Sequence, residues 1–379
     1  MNVPITRPAF GPEEASAIVQ PLKTGWIVQG PQVAEFERLF THLSGAAHAL
    51  ATSSCTTALH LALAVLGVGP GDEVVVPAFT YVASANVVEQ TGATTIFCDI
   101  DRATFNVEPA SLESAISART KAIMPVHLFG LVADMPAVME IALRHGVAVV
   151  EDAACAVGSR LCGQHAGTFG DFGAFSFHAR KVVTTGEGGM LTTQVAQHAA
   201  KAAVLRSHGG LVSDLERHNK GAFALPDHDD VGFNYRMTDF QGAMGVVQLA
   251  KLDALTDARR CLADRYTQEL SDLDGVAPPA LPAGSEHTYQ SYVLRVDPDE
   301  AVLQRDPLAI ELQRRGVATR QGTHAVHQLG YFRRKYRIDP SDFPVAKDAD
   351  ATSLSLPLFP DMSSEEQAYV IESIRELLS

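Results

Sequence analysis

The chain is organised around one stretch, Phe172–Met190, which reads FGAFSFHARKVVTTGEGGM. Its three phenylalanines favour a first strand, and residues 189–193 favour a second one. The turn between them carries a single lysine, Lys181, among apolar and small neighbours. Partial desolvation there favours the neutral amine, which is the form that attacks carbonyl groups. Taken alone, Lys181 is more simply interpreted as a surface lysine in a hairpin turn, so a functional role requires support from the rest of the chain.

Length and composition describe a globular chain of two domains. The chain has 379 residues, of which 46% are hydrophobic and 20% are charged. Thirty Lys and Arg residues against 44 Asp and Glu residues give a net charge of -14. This charge argues against binding to nucleic acid or to an anionic membrane. A small anionic ligand is still compatible with it, because a local site can oppose the net charge.

The cysteine and histidine patterns indicate neither disulfides nor a metal site. There are five cysteines, an odd number without a CxxC pair, which is typical of free thiols in a reducing cytosol. The fourteen histidines show no HExxH or comparable ligand spacing. The N-terminus lacks the apolar core of a signal peptide, and no apolar run is long enough to span a bilayer. We therefore expect a cytoplasmic protein.

Short β-rich runs alternate with helical runs from about Ala46 onward. This alternation predicts βαβ units and a largely parallel sheet that is covered by helices on both faces. In such folds ligands bind beyond the carboxyl ends of the strands. Asp152, which follows the apolar run 147–150, lies at such a position, and so does the turn after Ala51.

A smaller domain is predicted at the C-terminal end. The run Met237–Leu273 is helical in pattern and contains no proline, and we expect it to join a large domain, residues 1–250, to a small α+β domain, residues 251–379. The Pro- and Gly-rich stretch Pro278–Ser285 is the best candidate for a linker. Ser363–Glu366 has the pattern of a capping box for a final helix that runs to Leu378.

Four elements could form one site. The turn Thr52–Thr57 precedes a helix, so its N–H groups, its hydroxyls and the helix dipole suit a phosphate, although an ordinary N-cap explains the same residues. Asp152 could hold a protonated ring nitrogen, or it could cap the next helix. Ser176 could donate to the same phosphate. Tyr81 could stack on a flat ring, or it could be a core aromatic residue.

The order of these elements resembles the DegT-type nucleotide-sugar aminotransferases, which are pyridoxal 5′-phosphate (PLP) enzymes of the aspartate aminotransferase fold. The resemblance covers nearly the whole chain, and the lysine motif is its most specific part. The matching segments are Gly25-Trp26, Gly30-Pro31, Gly69–Val74, Val126–Gly130, Glu151–Ala154, Ser176–Lys181, Thr185–Gly189 and Gly232–Met237. It implies fold type I, a three-layer sandwich around a mostly parallel sheet, with a smaller C-terminal α+β domain.

The resemblance also implies the role of each site residue. Lys181 would form the Schiff base with PLP, and Asp152 would pair with the pyridine nitrogen. The residues implied as further cofactor contacts are Ser54, Cys55, Thr56 and Ser176 at the phosphate, Tyr81 on the ring, and Asn234 of the partner subunit, also at the phosphate. The active sites of a homodimer would thus be shared, although Asn234 could equally cap its own turn. Candidate substrate contacts are Trp26, His178, Glu187, His324 and His327.

Three departures from the family pattern concern the same site. Cys55 stands where glycine is usual, so its N–H is available only if the turn needs no positive φ. Cys155 stands where glutamine or histidine usually reaches the phenolic oxygen of the cofactor, and a thiol is a weak donor. The segment 320–327 occupies the region of the sugar site but lacks the usual Tyr-Pro-Leu-His wording.

The implied activity is transamination of a ketone on a nucleotide-linked sugar. Glutamate is the expected donor, pyridoxamine 5′-phosphate (PMP) the intermediate form of the cofactor, and a 4-keto-6-deoxy-hexose the favoured acceptor. A 3-keto sugar or a keto-cyclitol is an alternative acceptor. A related sugar dehydratase is a rival, but such enzymes carry histidine where this chain has Lys181. A non-catalytic regulatory protein that binds PLP is a second rival, which an intact Asp152 and Lys181 argue against.

Overall fold

The computed structural model describes residues 1–211, 227–339 and 341–378. Strands are numbered in chain order. They are β1 (His48–Thr52), β2 (Glu73–Pro77), β3 (Phe79–Thr80), β4 (Thr94–Cys98), β5 (Thr120–Ile123), β6 (Ala148–Asp152), β7 (Arg160–Leu161), β8 (Gln164–His165), β9 (Phe172–Ser176), β10 (Gly189–Thr193), β11 (Val276–Ala277), β12 (Ser285–Glu286), β13 (Tyr292–Val296), β14 (Arg320–Gln321), β15 (His324–Ala325) and β16 (Ser353–Leu356).

A seven-stranded sheet forms the centre of the larger part of the molecule. Its strand order is β1-β10-β9-β6-β5-β2-β4. Strand β10 is antiparallel to both β1 and β9, while the other neighbours pair in parallel. The prediction of a mostly parallel sheet is therefore confirmed. The parallel strands β6 and β9 end side by side, which brings Asp152 and Ser176 to the same edge.

Helices cover both faces of this sheet. Alternate residues of β2 lie on opposite faces of the sheet. Val75 packs in one apolar core, and Val74 and Val76 pack in the other. Burial on both faces explains why the strand is an unbroken apolar run instead of an alternating one. The α-helices of the described residues are Pro12–Thr24, Pro31–Ser44, Cys55–Val65, Ala83–Thr91, Pro109–Ser114, Met135–His145, Ala196–Arg206, Asp239–Ala250, Leu252–Leu270, Arg305–Arg314, Gly330–Tyr336, Pro344–Thr352 and Ser364–Leu378.

A second, four-stranded antiparallel sheet organises the C-terminal part, with the order β11-β13-β16-β14. Its core is built around the fully buried Tyr266 and Tyr292. The N-terminal segment joins this core, because Val3 bridges Val317 and is fully buried in the same apolar cluster. The predicted capping box is present, since Glu366 N–H donates to Ser363 Oγ over 3.0 Å and Ser363 N–H donates to the Glu366 carboxylate over 2.9 Å.

The predicted helical run Met237–Leu273 contains two consecutive helices in the structure. Asp239–Ala250 begins at Thr238, whose hydroxyl caps the helix, and the chain continues through Lys251 into Leu252–Leu270. Among the described residues, no helix is both long enough and apolar enough to cross a membrane.

Candidate active site

A cavity of about 760 Å³ opens at the carboxyl edge of the large sheet. One wall comes from the ends of β6 and β9 and from the turn after β1, and residues 319–324 of the C-terminal part close the other side. Ten of the residues predicted for the site line this cavity. They are Ser54, Cys55, Thr56, Tyr81, Asp152, Ser176, His178, Lys181, Glu187 and His324.

The lysine turn is held by its own backbone and by contact with the turn after β1. Thr185 N–H donates to the carbonyl of Phe177 over 2.9 Å, which closes the connection between β9 and β10. A Cβ atom at Gly189 would lie only 2.3 Å from the backbone of Ser54, so only glycine allows this approach. The close approach brings the lysine turn and the turn that begins the helix Cys55–Val65 together.

The amine of Lys181 forms a hydrogen bond within the cavity. Its Nζ donates to the Sγ of Cys155 over 3.0 Å. Burial by itself lowers the pKa of Lys181, but the interactions with Cys155, Cys55 and Asp152 outweigh it and raise this pKa above its ordinary value. Desolvation thus acts on Lys181 in the expected direction, while these partners favour the ammonium.

Asp152 is the last residue of β6 and is only 5% exposed. Its Oδ2 accepts a hydrogen bond of 2.7 Å from Ser84 Oγ, and its Oδ1 accepts one of 3.1 Å from Ala154 N–H. The Sγ of Cys55 lies 4.0 Å from Oδ1. These donors satisfy oxygen atoms of the carboxylate that burial removes from water. No helix follows Asp152 directly, so it does not cap one.

The turn after β1 meets the geometric requirements of an anion site. Ser54 is the N-cap of the helix Cys55–Val65, and its Oγ accepts from Thr57 N–H over 3.2 Å. The N-cap interpretation is thus correct, and it is compatible with a phosphate site because the first helical N–H groups point out of the helix. Cys55 has no positive φ, so its substitution for glycine leaves the turn unstrained.

Glu151, the neighbour of Asp152 in β6, forms a buried pair with His127 that the sequence analysis does not predict. Glu151 accepts from Nε2 of His127 over 2.8 Å and from the backbone N–H groups of Gly167, Phe169 and Gly170 over 2.7, 2.7 and 2.8 Å. Nδ1 of His127 accepts from Ala133 N–H over 3.2 Å, so the ring proton is on Nε2. These contacts fix the end of β6. Both residues occur within motifs that resemble the family, but those motifs gave no sign of the contact.

Tyr81 and His324 belong to the opposite wall. Tyr81 is 65% exposed and lines the cavity, which excludes the alternative of a core aromatic residue. Strand β15 pairs with β3 so that His324 lies opposite Thr80. Residues that are about 240 positions apart in the chain thereby meet beside the site, at the join between the two parts of the molecule.

Three of the predicted site residues do not line the cavity of this chain. His327 is 1% exposed and packs against Phe97 and Phe343, with ring centroids 6.3 and 5.0 Å apart, so its prediction as a substrate contact is contradicted by its burial in an apolar core. Trp26 donates from Nε1 to the Gln29 carbonyl over 3.1 Å, outside the cavity. Asn234 is exposed and forms a bridge with Ser207.

Comparison with known proteins identifies the family. The model of the DegT/DnrJ/EryC1/StrS aminotransferase family matches residues 8–375. The chain belongs to this family. The predictions of an aminotransferase and of fold type I are therefore confirmed. The match lends no support to the two rival functions, a sugar dehydratase and a non-catalytic protein that binds PLP.

Relatives extend over the full length of this aminotransferase. The spore coat polysaccharide biosynthesis protein SpsC of Bacillus subtilis is 38% identical over 377 residues, covering 99% of this chain and 97% of that protein. The putative sugar aminotransferase Spr1654 of Streptococcus pneumoniae, solved in a PMP form, has a TM-score of 0.93 at 31% identity and 99% coverage of both chains. The aminotransferase TlmJ of Streptoalloteichus hindustanus has a TM-score of 0.91 at 34% identity, covering 99% of this chain and 98% of that one.

The prediction of PLP as the cofactor is confirmed by these relatives, since Spr1654 is also solved in a PLP form. The residues of this chain fit that group. A buried carboxylate, a lysine amine and a helix N-terminus line one cavity, and they match a ring nitrogen, an aldehyde and a phosphate respectively. This match rests on the chemistry of the side chains in the cavity as well as on the family.

Proposed function

We propose that this aminotransferase moves an amino group from glutamate to the keto group of a nucleotide-linked sugar, with a 4-keto-6-deoxy-hexose as the favoured acceptor. The observation that carries the proposal is that one cavity is lined by Lys181 and Asp152 and also by the largely polar segment 319–324. Its volume of about 760 Å³ exceeds what a cofactor alone needs. The names of SpsC and Spr1654, which refer to a polysaccharide and to a sugar, support a sugar acceptor.

The charge of the cavity supports an anionic substrate. The cavity is lined by three cations, Lys181, Arg180 and Arg320, and by two acids, Asp152 and Glu187, although the chain has a net charge of -14. Arginine binds phosphate oxygens through two parallel hydrogen bonds. A cofactor phosphate at the turn after β1 and the diphosphate of a nucleotide sugar near the arginines would together match this lining.

Each residue has a proposed task in the reaction. PLP, when bound, supplies an electron sink that allows an amino group and a proton to be exchanged between two substrates. Asp152 keeps a proton on the ring nitrogen, because its own charge is stabilised by Ser84 and Ala154. Lys181 holds the cofactor and, when released, carries a proton at Nζ between two carbon atoms. Ser54, Cys55, Thr56 and Ser176 bind the phosphate, and Tyr81 covers the ring.

We also propose that each site is completed by a second copy of the chain. Asn234 is exposed and lies outside the cavity of its own chain, and the side-chain amide of asparagine can donate to a phosphate oxygen. Asn234 of the partner subunit would then reach the phosphate, which requires a homodimer. Trp26, which also lies outside the cavity, would contact substrate only across the same interface.

A substrate panel tests the proposed function. The PLP-loaded protein is incubated with glutamate and, in parallel, with nucleotide-linked 4-keto-6-deoxy sugars, 3-keto sugars and keto-cyclitols, and 2-oxoglutarate is measured. We expect 2-oxoglutarate to form catalytically with a nucleotide-linked 4-keto sugar and only stoichiometrically without an acceptor. Catalytic formation with a keto-cyclitol alone would contradict the proposed acceptor, and absence of 2-oxoglutarate would contradict glutamate as the donor. The Lys181→Ala variant serves as the inactive control.

A further inference from the structure

Cys155 contacts Lys181 more closely than its sequence position suggests. The resemblance to the family makes this residue a weak donor toward the cofactor. In the structure it is an acceptor, because Nζ of Lys181 donates to its Sγ over 3.0 Å. Both side chains line the cavity, and Cys155 is partly exposed to it. Glutamine and histidine are usual at this position; glutamine does not ionise and histidine ionises to a cation, whereas a thiol ionises to an anion.

We propose that Cys155 is a positioning residue for Lys181. Its sulfur accepts the hydrogen bond from Nζ and holds the amine within the cavity until the cofactor is captured. This inference rests on the proposed role of Lys181. It adds that Cys155 positions the amine of Lys181 before the reaction begins.

The surrounding groups determine which sulfur can pair with the lysine. Cys55 also lies near Asp152, and burial, followed by the charge of Asp152, raises the pKa of its thiol well above the ordinary value, which disfavours its thiolate. Burial favours a neutral Lys181, and the interactions with Cys155, Cys55 and Asp152 reverse this effect and raise its pKa. The other charged or titratable side chains that line the cavity are Tyr81, His178, Arg180, Glu187, Arg320 and His324.

Two consequences follow from such a pair. The thiolate is the nucleophilic form of cysteine, and an adjacent ammonium stabilises it, so Cys155 should react with electrophiles in a way that depends on Lys181. Conversely, the interaction with Cys155 raises the pKa of Lys181, whereas capture of an aldehyde needs the neutral amine. When the sulfur is removed, burial has the stronger effect on the pKa of Lys181 and lowers it. Lys181 should then capture the cofactor at lower pH.

The first test measures the reactivity of Cys155 in the cofactor-free protein. Full-length wild type, Lys181→Met and the matched control Lys201→Met, which changes an exposed lysine, are treated with iodoacetamide at pH 7.5, and the alkylated peptides are quantified by mass spectrometry. We expect Cys155 to react at least roughly tenfold more slowly in Lys181→Met than in the other two proteins. The exposed Cys162 and Cys261 are internal standards whose rates should not change.

A conservative variant separates pairing from a loss of structure. Lys181→Arg keeps a cation and should retain much of the Cys155 reactivity that Lys181→Met loses. Equal alkylation rates of Cys155 in wild type and Lys181→Met, with unchanged melting temperatures, would overturn the proposal. Reactivity that is lost equally in Lys181→Arg and Lys181→Met would also overturn it, because a charge partner should be partly replaceable.

The second test measures how pH controls cofactor capture. PLP is added to the cofactor-free wild type and to Cys155→Ser, and the rate at which the visible absorption of the protein-bound cofactor appears is followed from pH 6 to 10. Serine keeps an acceptor for Lys181 but does not ionise in this range. We expect the midpoint of the Cys155→Ser profile to lie about one pH unit lower. An identical or higher midpoint would contradict the pairing.

Failure of this inference can be distinguished from failure of the proposed function. If Lys181→Met with PLP shows the same visible absorption as wild type, Lys181 does not bond the cofactor and the proposed function is wrong, whereas the alkylation rates still report on the pair. If that absorption is lost but Cys155 reacts equally fast in wild type and Lys181→Met, only the inference about Cys155 is wrong.

Discussion

Ser84 donates a hydrogen bond of 2.7 Å from its Oγ to the Oδ2 of Asp152, and Ser84 is fully buried. Ser84 lies in the first turn of the helix Ala83–Thr91, which follows β3, whereas Asp152 ends β6. The bond therefore joins two elements of the large sheet region at the wall of the cavity. It also fixes the orientation of the carboxylate that we propose to face the cofactor nitrogen.

Ser84→Ala should weaken this arrangement without abolishing it. The carboxylate would lose one donor, which we expect to cost about 1–3 kcal/mol of stability and to lower turnover roughly tenfold. Thermal unfolding and steady-state kinetics measure the two effects. Ser114→Ala is a matched control, because Ser114 is exposed and donates only to the Ser111 carbonyl. Wild-type turnover in Ser84→Ala would show that the orientation of Asp152 does not depend on this bond.

Asp152→Asn should retain bound PLP but lose most of its turnover. A neutral amide of the same shape keeps the contacts of the pocket but cannot stabilise a positive charge on the ring nitrogen. We expect turnover to decrease roughly a hundredfold or more. The cofactor content, measured by absorbance, should be unchanged. Turnover near the wild-type level would exclude the proposed role of Asp152.

The shared site can be tested by mixing two defective chains. Lys181→Ala and Asn234→Asp should each be inactive or nearly so, the second because a negative charge opposes the phosphate. If Asn234 of the partner subunit completes the site, a mixed dimer has one site with intact Lys181 and intact Asn234, and activity returns after the two variants are refolded together. If Asn234 acts within its own chain, every site of the mixed dimer is defective. Lack of activity in dimers that are shown to be mixed would exclude the shared site.

Glu14 supports a prediction about stability and pH. This buried residue accepts hydrogen bonds from Gly11 N–H, Gln248 and Lys251 over 2.7, 2.8 and 2.9 Å. Burial raises the pKa of Glu14, but these partners outweigh it and lower the pKa from 4.5 to about 2. Because the folded protein holds the carboxylate more strongly than the unfolded chain does, its contribution is complete above pH 4.5 and is lost as the pH falls toward 2.

Glu14→Gln should therefore lower the free energy of unfolding by about 1–3 kcal/mol at pH 7, and the difference from wild type should shrink below pH 4.5. Urea denaturation at pH 7, 5 and 4 measures this difference. Glu13→Gln is the matched control, because Glu13 contacts the same Lys251 from an exposed position and should have a smaller effect. A difference between Glu14→Gln and wild type that is independent of pH would show that shape, and not charge, is responsible.

The sheet and the main site residues could be predicted from the sequence because they depend on local patterns. The apolar run of β6 followed by Asp152 predicts a buried strand with a polar end, and parallel register then brings Asp152 beside Ser176. The lysine motif likewise identifies Lys181 within a short, connected stretch.

The remaining contacts of the site depend on packing between distant segments. Nothing near Ser84 in the sequence indicates Asp152, and nothing near Cys155 indicates that its sulfur accepts from Lys181. His327 was predicted to contact substrate because of its place in the segment 320–327, but it turns inward against two phenylalanines. A polar residue next to a site cannot be assigned to the cavity or to the core until the side of the chain that faces inward is known.

Reduction of the PLP-loaded protein with borohydride, followed by peptide mapping, tests the central claim most directly. The reagent makes the bond between cofactor and lysine permanent, so the labelled peptide identifies the lysine that carries PLP. We predict that the label is found on Lys181, in the peptide that contains the turn between β9 and β10, and that Lys181→Ala yields no labelled lysine. A label on any other lysine of the wild-type protein would contradict the proposed site.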